Sequence, residues 1–122
     1  MSPYRGLGLG IDIVEIRRIA RLAKLNTRFL NRVFSKEEIA YCSGKKGKWQ
    51  HFAVRFAAKE AVWKALGSSG LALRDISIRR DRLGRPHVVL RGRLAPRVHV
   101  SLTHSEEYAA AVALVHPGGR AR

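Results

Sequence analysis

The order of hydrophobic periods along the 122-residue chain predicts an α+β fold. Three observations carry this expectation. A Gly-rich apolar segment near the N-terminus reads as a strand. An Ala-rich stretch over 49–66 has no interior Gly or Pro and reads as one long helix. After Gly70 the apolar period becomes two, with turn residues between the runs. The expected order is strand, helices, then a C-terminal antiparallel meander, in a single domain over 1–122.

Residues 7–11, Leu-Gly-Leu-Gly-Ile, form the first strand, whose glycines allow another backbone to come close. Asp12 follows, and a helical stretch runs to about Leu25. Ile16, Ile19, Ala20 and Ala23 fall on one apolar face of it. Arg17, Arg21, Lys24 and Arg28 recur at helical spacing on another face, as a basic stripe. Ser35-Lys-Glu-Glu38 is a capping box that opens a second helix. Residues 43–48 make a basic loop before the long helix, which Gly67-Ser-Ser-Gly70 ends. Ile76 and Ile78 alternate with polar residues, and Asp81–Pro86 is a turn. Further strands are expected at Val88–Leu90, Val98–Leu102 and Tyr108–Val115, with a frayed tail over 116–122.

Composition limits what such a domain can do. The chain carries 24 Lys+Arg against 9 Asp+Glu, a formal net charge of +15. With 46% hydrophobic residues it can bury a core, which excludes a disordered polycation. No apolar run reaches the roughly 18 residues of a membrane span, and no secretory leader pattern opens the sequence. Cys42 is the lone cysteine, so no intrachain disulfide is possible, and a reducing cytosol is expected. The charge is spread evenly between the two halves of the chain, so it belongs to the folded body. Arginine dominates it, and the planar guanidinium suits phosphate and carboxylate. Nucleic acid, a polyphosphate ligand and an acidic protein all fit this charge.

The scarce acids are more selective. Asp12, where the first strand turns to helix, fits a helix cap. Glu60 fits an exposed pair with Lys64 one turn on. Phe56, Glu60 and Lys64 also share one helix face, a plausible rim for a phosphate held through a divalent cation. Mg²⁺ favours one or two carboxylates together with phosphate oxygens and water. Lys45, Lys46, Lys48, Arg55 and Lys64 are available to surround such a phosphate. Ser101 and His104 are three apart, so on a strand they face opposite ways and make a poor nucleophile–base pair. Trp49, Phe52, Phe56 and Trp63 read as core aromatics. The five histidines show no metal-ligand spacing, and no nucleic-acid module signature is present. The alternative function is a small basic RNA-binding protein, which length and charge alone would support.

Five blocks occur in order over about residues 6–115: Gly10-Ile-Asp-Ile-Val-Glu-Ile16, Arg55-Phe-Ala-Ala-Lys-Glu-Ala61 with Lys64-Ala-Leu-Gly67, Gly84-Arg-Pro86, Ser101-Leu-Thr-His104, and Glu107-Tyr-Ala-Ala110. Together they resemble the holo-[acyl-carrier-protein] synthase family, the small bacterial 4′-phosphopantetheinyl transferases. The resemblance implies the transferase fold. It implies transfer of the phosphopantetheine arm of coenzyme A to a serine of apo acyl carrier protein, with release of adenosine 3′,5′-bisphosphate. Mg²⁺ as cofactor, a cytoplasmic place in fatty acid biosynthesis, and a homotrimer with its site between subunits are implied as well. Neither nucleic acid nor membrane is an expected partner. By position, Asp12 and Glu60 match the family's metal ligands, and Lys64 matches a lysine on coenzyme A phosphate. Lys46, Arg55, Pro86 and His104 match residues lining the coenzyme A site. The helix carrying Arg17, Arg18, Arg21 and Arg28 matches the helix that docks the acidic carrier protein. Where the family has Gly-Thr-Gly after the long helix, this chain has Gly67-Ser-Ser-Gly70. On this reading the nucleophile is the partner's serine, which agrees with the lack of a convincing triad. The general base is then either Glu60 or a water at the metal.

Overall fold

The computed structural model describes residues 6–67 and 70–117. The chain runs β1 (Gly8–Glu15), α1 (Ile16–Leu25), α2 (Phe29–Val33), α3 (Lys36–Ser43) and α4 (Lys48–Leu66). A 3₁₀ turn at Leu73–Asp75 leads to β2 (Ile76–Arg80), β3 (Pro86–Leu90), β4 (Arg93–Leu94), β5 (Val98–His104) and β6 (Tyr108–Val115). The α+β order is the expected one, and the C-terminal strands are antiparallel throughout.

Those strands are divided between two sheets. The order β2-β3-β4 makes one, and β1-β6-β5 makes the other. The division falls where Ala95 and Pro96 follow the two-residue β4. Proline has no N–H to give a ladder, so pairing stops and the chain crosses to the second sheet. There β6 fills the centre and β1 closes one edge, antiparallel from Gly8↔Val115 to Glu15↔Tyr108.

Helix α4 is the hub. It is apolar nearly all round and is buried between the β1-β6-β5 sheet and the other helices, as such a helix must be. Phe52, Ala53, Ala57, Ala58, Ala61 and Val62 have no exposed surface. The facing strands carry small residues: Ala109, Ala111 and Ala113 on β6, Gly8 and Gly10 on β1. A Cβ at Gly8 or Gly10 would collide with the carbonyl oxygen of Ala65 or Ala61. The glycines of the first strand therefore do what their position suggested, letting β1 lie directly on α4.

Other expectations change in detail. β1 extends past Ile11 to Glu15, so Asp12 is a strand residue paired with Ala111 and caps no helix. The capping box at Ser35 and Glu38 is present in both directions. The basic stripe on α1 ends at Lys24, because the helix stops at Leu25 and Arg28 stands just before α2. Among the aromatics, Phe52 is core, and Trp49 and Phe56 pack against it half-buried. Trp63 instead lies at the surface, its indole N–H donating to Leu71 O at 3.0 Å. Ser68 and Ser69, and positions 118–122 of the expected frayed tail, lie outside the described residues. Among the described residues no helix is long and apolar enough to cross a membrane.

Candidate active site

The close approach of β1 to α4 brings Asp12, Glu60 and Lys64 together. Lys64 Nζ donates to the Ile11 carbonyl at 3.0 Å and lies 3.4 Å from Asp12 Oδ1. Among the described residues its ion-pair partner is Asp12, so the expected Glu60–Lys64 pair does not form. Burial raises the Glu60 carboxyl above its ordinary range, and the negative charge of Asp12 raises it further. Lys64 and Arg18 oppose that rise without cancelling it. Asp12 thus lies against the Lys64 ammonium and near enough to Glu60 for its charge to be felt there. No cluster of three or more His, Cys, Asp or Glu forms among the described residues. A two-carboxylate site is one that Mg²⁺ accepts when phosphate oxygens and water complete its shell.

Arg55 and His104 gather at the opposite edge of the same sheet. With Gln50, His51, Arg80 and Thr103 they line a cavity of about 90 Å³. Gln50 Nε2 donates to His104 Nε2 at 3.0 Å, which makes that ring nitrogen an acceptor. The other nitrogen, Nδ1, faces the Ser105 carbonyl at 3.4 Å. Burial holds His51 below its ordinary range, aided by the positive charges of Arg55, Lys45 and Arg80 and by His104. The strand geometry turns Ser101 away from His104, as the spacing required: Ser101 pairs with Val112 on the exposed face.

The remaining expected site residues sit apart. Lys46 is exposed on the loop between α3 and α4. Pro86 opens β3 and lines a separate, mostly apolar cavity of about 360 Å³ with His87, Leu94, Pro96 and His99. Arg17, Arg18 and Arg21 are exposed on α1, and Arg28 is exposed beyond it. One chain therefore does not bring Asp12, Glu60 and Lys64 onto the group of Arg55 and His104. Arg55 and Lys64 are nine residues apart on α4, about half a turn in net rotation. Asp12 and His104 lie on the two outer strands with β6 between them.

The geometry adds residues that composition and spacing had not singled out. Arg80, at the end of β2 in the other sheet, lines the cavity of Arg55 and His104. Lys59 is fully buried against Glu38, Nζ to Oε1 at 2.6 Å, and also donates to the Ile76 carbonyl. Burial pushes the Lys59 ammonium down, while the Glu38 carboxylate pulls the other way. A lysine beside the Ala pair Ala57-Ala58 in the middle of the long helix was the available signal.

The sequence comparisons bear directly on this arrangement. The family model described as the 4′-phosphopantetheinyl transferase superfamily matches residues 8–113, which include both clusters. The chain belongs to the 4′-phosphopantetheinyl transferase superfamily. A holo-[acyl-carrier-protein] synthase of Moorella thermoacetica is 47% identical over 120 residues, covering 89% of this chain and 93% of that one. That of Koribacter versatilis is 42% identical over 117 residues, covering 86% and 94%. Among solved structures, the Bacillus anthracis holo-(acyl-carrier-protein) synthase in complex with CoA (3′,5′-ADP) superposes with a TM-score of 0.80 at 32% identity. The match covers 93% of this chain and 99% of that one. The Helicobacter pylori synthase in complex with coenzyme A gives 0.73 at 32% identity, covering 88% and 98%. In this superfamily member both sheets, the long helix and the two clusters are therefore parts of a transferase fold.

Proposed function

We propose that the chain transfers the 4′-phosphopantetheine arm of coenzyme A to a serine of apo acyl carrier protein, releasing adenosine 3′,5′-bisphosphate. The observation that carries the proposal is that Asp12 lies against Lys64 and its charge reaches the Glu60 carboxyl. Mutual repulsion of the two carboxylates favours binding of a divalent cation, and they are the residues that would hold Mg²⁺. When bound, that ion would neutralise charge on the transferring phosphate and on the leaving bisphosphate. The Lys64 ammonium is half-exposed and adds a second positive group for phosphate oxygens. The serine hydroxyl of the carrier protein attacks phosphorus, its proton passing to Glu60 or to a water at that site, and the bond to the bisphosphate oxygen breaks. No nucleophile of this chain is required.

Lys46, Arg55, Pro86 and His104 take the role of coenzyme A contacts. Their separation from Asp12, Glu60 and Lys64 supports a composite site, in which one copy supplies the carboxylates and a neighbouring copy the phosphate cations. A homotrimer is the assembly we infer. Leu9, Ile11 and Ile13 leave one face of β1 uncovered at 66–69% exposure, next to Val112 on β6. An apolar strand face of that kind is a self-association surface. Arg17, Arg18 and Arg21 present positive charge to an acidic carrier protein, with Arg28 beside them. We place the activity in the cytoplasm and in fatty acid biosynthesis. The free thiol of Cys42 suits a reducing compartment.

The test is incubation with coenzyme A, Mg²⁺ and apo carrier protein, read as intact mass. Wild type adds the phosphopantetheine arm, while Asp12→Ala and Glu60→Ala abolish the mass gain and keep a native far-UV spectrum. Near-normal transfer by either variant in Mg²⁺ would remove the metal assignment.

A further inference from the structure

Arg55 is only 3% exposed; Glu38, which lines a cavity with it, is bound to Lys59, and among the described residues Glu37 of the same lining forms no ion pair with it. Among the described residues its guanidinium donates Nη1 to the His51 carbonyl at 3.4 Å and lies against the Cys42 thiol. Among the described residues it has no carboxylate within ion-pair distance. The neighbouring Cys42 thiol gives no counter-charge, because burial pushes it up to about 11. A buried guanidinium without a carboxylate partner is costly unless an anion arrives.

An aromatic ring is what it does have. The Arg55 guanidinium carbon lies 4.6 Å from the centre of the Tyr41 ring, and Lys45 Nζ lies 4.5 Å from the same centre. His51 meets that ring edge-on at 6.0 Å. Both cations are within cation–π range. Tyr41 comes from α3, Lys45 from the following loop and Arg55 from α4, so one ring gathers charges from two other segments. Arg55 and Arg80 line both the 90 Å³ cavity and an adjoining one of about 210 Å³, on which Tyr41 also lies.

We propose that Tyr41 is a positioning residue for coenzyme A, its ring holding Arg55 and Lys45 toward a phosphate of the substrate. The proposal rests on the phosphate-binding role given to Arg55 above. Its physical logic is the difference between a ring and a carboxylate. A carboxylate would hold the two cations but cancel their charge and occupy their donors. A ring face attracts cations through its quadrupole, leaves the net charge intact and leaves the N–H groups for the anion.

Steady-state kinetics of Tyr41→Leu, Tyr41→Phe and Arg55→Gln, with coenzyme A and apo carrier protein varied separately, test this. Tyr41→Leu is expected to raise KM for coenzyme A about tenfold, which is about 1.4 kcal/mol, and to leave KM for the carrier protein within about twofold. Tyr41→Phe keeps the ring face and is expected to stay near wild type. If Tyr41→Phe is as impaired as Tyr41→Leu, or if both KM values rise together, the ring does not act as proposed. If Arg55→Gln leaves KM for coenzyme A unchanged, the phosphate role of Arg55 falls, and the role of Tyr41 with it. If Arg55→Gln raises that KM and Tyr41→Leu does not, the role of Tyr41 alone falls. Tyr41→Met fills similar space without a ring face and carries the same expectation should Tyr41→Leu fail to fold.

Discussion

Replacing Lys59 by Met is expected to destabilise the protein by about 3–5 kcal/mol, the cost of removing one partner from a buried ion pair. Lys59 is fully buried and Glu38 is 2% exposed, so water cannot take over the lost contact. Glu38 Oε1 accepts from Lys59 and from the Ser35 N–H at 3.0 Å, and Oε2 accepts from the Ile78 N–H at 2.8 Å. Lys59 also bonds the Ile76 carbonyl. The pair thus ties α3, α4 and β2 at one point. Met keeps the length of the side chain, so the change deletes mainly the charge and its donors. A carboxylate supported by two backbone N–H groups is left in the core, and the Ile76 carbonyl loses a donor. Against a domain stability of about 5–15 kcal/mol this is a large share. The double variant Glu38→Gln/Lys59→Met removes both charges of this pair and is expected to lose less than about 2 kcal/mol. Urea unfolding measures this, read as a midpoint shift at constant slope. A loss below about 1 kcal/mol for Lys59→Met, or a double variant that loses the sum of the two single changes, would refute the reasoning.

Three further outcomes are expected. Because the folded Glu60 carboxyl is raised above its unfolded value, the stability it contributes is present at low pH and lost as pH rises through the raised value. Asp12→Asn removes one cause of that rise, so the metal-free variant should lose less stability than wild type between about pH 4 and about pH 7, as thermal unfolding would record. Arg17→Glu with Arg21→Glu should raise KM for the carrier protein by an order of magnitude or more and leave KM for coenzyme A near wild type, since both side chains are on the exposed face of α1. Ile11→Asp places a charge on the uncovered face of β1 and should convert the assembly to monomers in sedimentation, with transfer activity lost alongside.

Much of the site was legible because chemistry at short range leaves a local pattern. The capping box at Ser35 and Glu38 and the long helix of α4 are short-range signals, and both stand where the residue pattern put them. Glu60 and Lys64 are one turn apart on a helix, so their common face follows from periodicity. The Lys64–Asp12 pair does not, because the two residues are 52 positions apart and meet only when β1 lies on α4. Two glycines on the strand make that approach sterically possible, but their number and spacing do not say which helix will come.

By itself, then, the order of residues determined the α+β class, most of the helix and strand succession though not α2 or β4, and which acids and bases were worth watching. Those are consequences of backbone propensity and period, which act over a few residues. Only the tertiary structure decided that Asp12 belongs to a strand, that Lys59 and Glu38 neutralise each other in the core, and that Arg55 is buried against the Tyr41 ring. It also separated the carboxylate pair from Arg55 and His104 on two sides of α4. Burial and through-space charge decide these points, and both depend on contacts between segments far apart in the chain.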